Sequence, residues 1–160
     1  VKESIFNILE HSNKISTKIQ NSKVLDLFSG TGSFGIECLS RGANHVTFFE
    51  NYQVSIKILK QNIHNLKLEN KSSIYNNSAY DLENCKFDTT VFDIIFLDPP
   101  FKDKKIDILI SKLKKLKFVD SNSLIIIHRN KKSIDKFSHY LNMIEEKNYG
   151  LSKIFFCKLD

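Results

Sequence analysis

The stretch that most constrains this chain is Asp26–Gly35, DLFSGTGSFG, which holds three of the five glycines among the 160 residues. The apolar pair Val24-Leu25 leads into it, and apolar residues at helical spacing lead out of it (Phe34, Ile36 and Leu39). Glycine allows a positive φ and a close approach of the backbone to a ligand. The first turn of a helix offers free N–H groups and the positive end of a dipole. The stretch therefore predicts a strand, a tight turn and a helix that together bind a nucleotide-like cofactor.

The rest of the chain alternates between apolar runs of strand length and amphipathic stretches of helical length. We predict strands at Val24–Phe28, His45–Glu50, Ser73–Asn76, Phe92–Leu97, Leu124–His128, Asn142–Lys147 and Ser152–Leu159. We predict helices at Lys2–Glu10, Ser33–Ser40, Gln53–Leu66, Lys105–Leu116 and Ser133–Tyr140, with a short helix or loop at Ala79–Asn84. This order indicates an α/β fold in one domain over residues 1–160. The sheet should be mostly parallel, with helices on both faces and a closing antiparallel hairpin. Ligands of such sheets bind at the carboxyl ends of the strands.

Composition narrows the class of protein. No apolar run approaches the roughly 20 residues of a membrane span, and the chain opens on charged residues, so a cytoplasmic protein without a membrane partner is expected. The net charge is +6, which favours a polyanionic partner, but 22 of the 24 basic residues are lysines and arginine is the better reader of phosphates and bases. The three cysteines are far apart and none forms a CxxC pair, so neither a metal site nor a redox site is expected.

Two cofactors fit the glycine stretch. Gly30–Gly35 matches the dinucleotide pattern GxGxxG, and Glu50 ends the second predicted strand twenty residues later, where such sites place a carboxylate on a ribose hydroxyl. The glycine pattern alone cannot separate a nicotinamide dinucleotide from S-adenosylmethionine. Asp26 favours the second, because a carboxylate there would repel a pyrophosphate but would attract the ammonium group of a methionine moiety.

Asp98-Pro99-Pro100-Phe101 strengthens that preference. It directly follows the fourth predicted strand and holds both prolines of the chain. Proline fixes φ and lacks an N–H, so a carboxylate and a rigid carbonyl can both accept hydrogen bonds from one exocyclic amine. Phe101 could stack on the base that carries the amine. These four residues are the candidate catalytic set of a methyltransferase.

The motifs resemble those of the bacterial 16S ribosomal RNA guanine-N2 methyltransferases. Residues 26–43 read DLFSGTGSFGIECLSRGA, similar to the family's first motif D-x-F-x-G-(ST)-G-x-x-G-(IL)-E-(AC)-L-S-R-G-A. Val1–Leu9 reads VKESIFNIL and resembles the family's N-terminal helix, and Asp98–Phe101 resembles its fourth motif. The resemblance spans nearly the whole chain. It implies a Rossmann-like class I methyltransferase fold with seven strands, S-adenosylmethionine as cofactor, and a guanine N2 of 16S rRNA as methyl acceptor.

The resemblance also implies roles for single residues. The methionine end of the cofactor would be lined by Asp26, Phe28, Gly30 and Gly32, the ribose bound by Glu50, and the adenine contacted by Ser78 and Ala79. Asp98 and Pro99 would hold the target amine and Phe101 would pack on the guanine, with Pro100 as the remaining member of the catalytic set. Other acceptors stay open, namely adenine N6 in DNA or RNA and a protein glutamine amide.

Several further expectations follow from the resemblance. The partner would be 16S rRNA or the assembling small subunit, bound by a monomer. The family normally carries a short hairpin ahead of the point where this chain begins. Where family members often carry Glu after the fifth strand, this chain has His128-Arg129. We interpret His128 as a strand-end histidine rather than a proton acceptor, and Arg129 as a possible contact to phosphate.

Overall fold

A computed structural model describes residues 1–87 and 91–160 of the chain. Its α-helices are α1 (Lys2–His11), α2 (Ser33–Ser40), α3 (Gln53–Asn65) and α4 (Ile106–Lys115). Its strands are β1 (Lys23–Leu27), β2 (His45–Phe49), β3 (Ser72–Tyr75), β4 (Ile94–Leu97), β5 (Leu124–Asn130), β6 (Leu141–Tyr149) and β7 (Ser152–Leu159). Short 3-10 helices cover Glu69–Lys71 and Ala79–Asn84. Within the described ranges, no helix is both long and apolar enough to cross a bilayer.

The seven strands form one sheet in the order β3-β2-β1-β4-β5-β7-β6. The first five are parallel, and β7 runs antiparallel to both β5 and β6. All four residues of β4 are buried, as expected of a central parallel strand covered on both faces. The predicted sheet with a closing hairpin is confirmed.

Side chains alternate along each strand and build two cores, one on each face of the sheet. On one face, α1, α2 and α3 pack against the strands through residues such as Phe6, Phe34 and Leu59. On the other face, α4 and the 3-10 helix at Ala79–Asn84 pack against the alternate strand residues. The expectation of helices on both faces is therefore also confirmed.

The helix predicted over Ser133–Tyr140 is wrong, since this segment is irregular. The backbone N–H of Ser138, which would bond Ile134 in a helix, donates instead to Asp107 Oδ1 at 3.0 Å. Asp135 is drawn to the side chain of Arg129, while Ile134 is 93% exposed. Tertiary partners for single polar residues therefore outweigh the weak helical periodicity of the segment.

The order of strands places three predicted site segments at one edge of the sheet. From β1 the chain first adds β2 and β3 on one side of the sheet. It then returns to the other side of β1 and adds β4 and β5 there. Leu27 of β1 lies beside Phe49 of β2 and Leu97 of β4 in register. The residues that follow these three strand ends are the glycine turn, Glu50 and Asp98. This point of reversal is where open α/β sheets bind ligands.

Candidate functional site

The glycine turn between β1 and α2 is built from left-handed backbone. Phe28, Gly30 and Gly32 have φ values of 60°, 57° and 92°. Phe28 is the only one of the three with a side chain, and non-glycine residues held in this region store strain that is found most often at functional sites. The N–H of Gly32 donates to Ser29 O at 2.9 Å, and α2 begins at the next residue.

Gly35 serves packing rather than the turn. It lies inside α2, and a Cβ at this position would overlap the ring of Phe48 and a methyl of Val46. The third glycine of the GxGxxG pattern therefore lets α2 approach β2 closely, which is one of the uses of glycine in such motifs.

Asp26 lines a cavity of about 200 Å³, with Phe28, Ser33, Asp98 and His128 among the other lining residues. Its side chain is buried, and its Oδ2 accepts the N–H of Gly35 at 3.1 Å. Among the described residues, no hydrogen-bond partner reaches its Oδ1. Burial raises the pKa of Asp26 to about 8, although the Gly35 N–H opposes this shift.

The unpaired Oδ1 of Asp26 indicates that this cavity suits a cationic group. A buried carboxyl without a second partner gains most from a cation that donates hydrogen bonds, because the cation stabilises the ionised form. An ammonium group in the cavity would do this. The residues present therefore fit the methionine end of S-adenosylmethionine.

Glu50 links the end of β2 to the glycine turn. Its Oε1 accepts the N–H of Gly30 at 2.8 Å and its Oε2 accepts the N–H of Tyr52 at 2.9 Å. Its carboxylate lines a second cavity, of about 610 Å³. Each carboxylate oxygen can accept more than one hydrogen bond, so Glu50 remains able to bind hydroxyl groups.

Ser78 and Ala79 line the same larger cavity. Ser78 caps the short 3-10 helix by accepting the N–H of Tyr80 at 3.2 Å, and Ala79 is 4% exposed. Sequence reasoning missed several further lining residues, among them Tyr52 and Tyr80. The ring of Tyr80 meets Phe28 edge to face, with 5.9 Å between the ring centroids, so it supports the strained residue of the glycine turn.

Phe28 and Asp98 line both cavities. Both cavities therefore lie at the ends of β1 and β4, and Asp98 borders each of them. Pro99 is buried, Pro100 is exposed, and both line the larger cavity. Phe101 follows with 53% of its surface exposed, so its ring is accessible to a ligand. We call residues 98–103 the acceptor turn.

His128 is a site residue that sequence reasoning undervalued. Its Nδ1 lies 3.0 Å from Asp98 Oδ1, and its Nε2 lies 2.9 Å from Ser152 Oγ. An ionised carboxylate can only accept hydrogen bonds, so the Nδ1 carries the proton in this contact. Leu97 pairs with Ile127 in the sheet, so the parallel register of β4 and β5 was the signal that could have placed Asp98 beside His128.

The interpretation of Arg129 as a phosphate contact is wrong. Arg129 is buried, and its side chain donates to Asp135, to Pro100 O and to Asp103 O. A guanidinium that is buried and whose three nitrogens all donate to protein oxygens is not available to an external phosphate. The basic side chains that are exposed on the acceptor turn and just after it are lysines (Lys102, Lys104 and Lys105).

The chain resembles known proteins along nearly its full length. Residues 1–158 match the family model described as "Conserved hypothetical protein 95". A relative in Buchnera aphidicola, named ribosomal RNA small subunit methyltransferase D, is 33% identical over 153 residues. The match covers 96% of this chain and 72% of the relative.

Solved structures share the fold. A conserved hypothetical protein of Streptococcus pyogenes is 27% identical, with a TM-score of 0.85 over 100% of this chain and 96% of its own. A candidate methylase of Haemophilus influenzae is 30% identical, with a TM-score of 0.80 over 99% of this chain and 96% of its own. The sheet and its helices thus have the class I methyltransferase fold.

Proposed function

The chain belongs to the family of bacterial small-subunit ribosomal RNA methyltransferases, and from this premise we propose that it transfers a methyl group from S-adenosylmethionine to the exocyclic N2 of a guanine in 16S rRNA. It would act as a monomeric, single-domain cytoplasmic enzyme on the free rRNA or the assembling subunit. The observation that carries the proposal is the position of Asp98, which borders both cavities and is followed directly by the two prolines.

The two cavities suit the two ends of the cofactor. Asp26, with its orphaned oxygen, would pair with the ammonium group, and Phe28, Gly30 and Gly32 would line the same end. In the larger cavity Glu50 would accept hydrogen bonds from the ribose, while Ser78 and Ala79 would contact the adenine. S-adenosylmethionine, when bound, supplies a methyl group that its sulfonium already makes electrophilic.

The acceptor turn would hold the nucleophile. The exocyclic amine of guanine has two N–H groups, which the Asp98 carboxylate and the Pro99 carbonyl can both accept. Phe101 would stack on the base, a contact worth about 1–3 kcal/mol for an exposed aromatic side chain. Fixing the amine in line with the methyl group supplies most of the rate, because well-oriented reactants save about 7–11 kcal/mol of the barrier.

The Asp98 carboxylate can also take the proton that the amine must lose. Nitrogen becomes positively charged as it gains the methyl group, and a carboxylate within hydrogen-bond reach is suited to accept the proton. His128, whose Nδ1 lies 3.0 Å from Asp98 Oδ1, would hold that carboxylate in place before transfer.

The test is methyl transfer from labelled S-adenosylmethionine to bare 16S rRNA, to 30S particles and to duplex DNA, with the modified nucleoside identified by mass spectrometry. We expect N2-methylguanosine in the rRNA, and a loss of at least about 100-fold in kcat for Asp98→Ala. Asp93→Ala is a matched control, because Asp93 lies just before the amino end of the same strand and accepts the N–H of Lys23.

Other products would redirect or overturn the proposal. Methylated adenine in DNA or RNA, or a methylated protein glutamine with unmodified rRNA, would keep the chemistry and reject the acceptor. Full activity in Asp98→Ala would remove the acceptor turn from the mechanism. Calorimetry that detects binding of a nicotinamide dinucleotide but not of S-adenosylmethionine would reject the cofactor.

A further inference from the structure

Arg129 is a buried arginine that donates hydrogen bonds both to a carboxylate and to backbone carbonyls of the acceptor turn. Its Nε donates to both carboxylate oxygens of Asp135, at 3.2 and 3.1 Å. Its Nη1 donates to Pro100 O at 3.3 Å and its Nη2 to Asp103 O at 2.6 Å. The side chains of Arg129 and Asp135 are only 2% and 6% exposed. The ion pair is therefore shielded from water, and its fixed geometry extends to the turn.

The two carbonyls that Arg129 binds belong to the two residues that close the acceptor turn. The N–H of Asp103 donates to Pro100 O at 2.9 Å, so this carbonyl accepts from both the backbone and the guanidinium. The planar fork of arginine presents its donors in a rigid arrangement, unlike the flexible ammonium of lysine. The guanidinium thus fixes the positions of Pro100 and Asp103 relative to β5.

The side chain of Asp103 adds a second anchor. Its Oδ2 accepts the hydroxyl of Tyr80 at 2.5 Å, and its Oδ1 accepts the N–H of Lys105 at 2.7 Å. Burial, together with this bond to Asp103, raises the pKa of Tyr80 above its ordinary value, so the hydroxyl stays protonated and remains a donor. Tyr80 also lines the larger cavity and keeps its own contact to Phe28.

Two side chains of β5, one on each face of the sheet, contact the acceptor turn. Consecutive residues of a strand point to opposite faces, so His128 and Arg129 diverge. His128 contacts the first residue of the turn, Asp98, whereas Arg129 contacts Pro100 and Asp103. Two adjacent residues of one strand thereby restrain a turn that has no regular secondary structure of its own.

We propose that Arg129 is a positioning residue for methyl transfer, which acts by holding the acceptor turn so that Asp98 and the Pro99 carbonyl stay aligned for the target amine. The proposal rests on the proposed function, because alignment matters only if the turn binds the nucleophile. A misplacement of about 1 Å in a reacting group costs on the order of 100-fold in rate. Loss of the guanidinium should therefore reduce kcat far more than it reduces binding of the cofactor.

The single change Arg129→Met would leave the Asp135 carboxylate buried without a partner and could prevent folding. The informative variant is Arg129→Met with Asp135→Leu, since apolar residues of similar volume often replace a buried ion pair without loss of stability. Ser123→Ala is the matched control. Ser123 is a buried polar residue near the amino end of the same strand, and its hydroxyl donates to Phe92 O at 2.6 Å.

Two measurements test the proposal. The first is kcat for methyl transfer together with the Kd for S-adenosylmethionine, well below the melting temperature of each protein. We expect the double variant to lose about 10- to 100-fold in kcat with a change of less than about 3-fold in Kd, and Ser123→Ala to keep both. The second is amide hydrogen exchange, which needs no substrate. We expect faster exchange in residues 101–105 of the double variant and not in Ser123→Ala.

The outcomes separate this proposal from the proposed function. Unchanged exchange in residues 101–105 would show that Arg129 does not hold the turn. Faster exchange with unchanged kcat would show that the restraint does not serve catalysis, and either result overturns the proposal. A wild-type protein that methylates none of the substrates rejects the proposed function, and with it the catalytic role of Arg129, whatever the exchange data show.

Discussion

Binding of S-adenosylmethionine should release a proton from Asp26. In the free protein burial raises the pKa of this carboxyl to about 8, so at pH 6.5 it is almost entirely protonated. The proposed ammonium partner favours the ionised carboxylate and would lower that pKa on binding. Close to one proton should therefore leave for each cofactor bound at pH 6.5, and fewer at pH 8.

The same linkage sets the pH dependence of affinity. Between about pH 5 and pH 7 each unit of pH should change the Kd by about 10-fold, with tighter binding at higher pH, because free Asp26 must lose its proton before it can pair; from pH 7 to pH 8 the change should be smaller, as fewer protons are released. Above about pH 8 the gain ends, since the carboxyl is then already ionised and a free α-amino group begins to lose its charge.

The assay is isothermal titration calorimetry at pH 6, 7 and 8 in buffers of different ionisation enthalpy, which reports Kd and the number of protons released. Asp26→Asn should bind weakly, with no proton release and a nearly flat pH profile. Asp93→Asn, a change to an exposed carboxyl near the opposite end of the sheet, should behave as the wild type. A wild-type Kd that is constant from pH 6 to 8, or equal proton release in Asp26→Asn, would refute this account of the site.

Three further changes test separate parts of the structure. Gly35→Ala should destabilise the protein by about 1–3 kcal/mol, seen as a lower melting temperature, because the new methyl overlaps Phe48; an unchanged melting temperature would contradict this. His128→Ala should lower kcat about 10-fold, because it removes the contact to Asp98, and should change the Kd for the cofactor little. A roughly 10-fold weaker binding of the cofactor would contradict this. Phe101→Ala should raise the KM for rRNA about 10-fold without affecting cofactor binding in calorimetry, and an unchanged KM would show that the exposed ring does not stack on the base.

The linear pattern of residues was enough to predict the architecture. Apolar runs at Val24 and Ile94, separated by amphipathic stretches, indicate buried parallel strands because only strands covered on both faces can be apolar throughout. The glycine turn was predictable because Gly30 and Gly32 adopt conformations that few other residues tolerate. The proposed roles of Asp26 and Asp98 rest on motifs of consecutive residues, and their positions at the ends of β1 and β4 follow from the order of the elements.

Local pattern was not enough where a polar residue depends on a distant partner. The residues next to Arg129 in the sequence do not show that its charge is buried. A buried guanidinium needs hydrogen-bond acceptors, and here these are a carboxylate and two carbonyls from other segments of the chain. The segment that contains Asp135 is irregular for the same reason. Its polar groups form bonds to Arg129 and Asp107 in place of the backbone hydrogen bonds of a helix.

The sequence by itself thus determined the sheet, the glycine turn and the chemical character of the proposed site, because these depend on short-range backbone preferences and on apolar periodicity. Only the tertiary structure decided that Asp26 keeps an orphaned oxygen, that His128 contacts Asp98 and that Arg129 holds the acceptor turn. These features depend on strand register and on which side chains exclude water from one another, and both are settled only when segments far apart in the chain pack together.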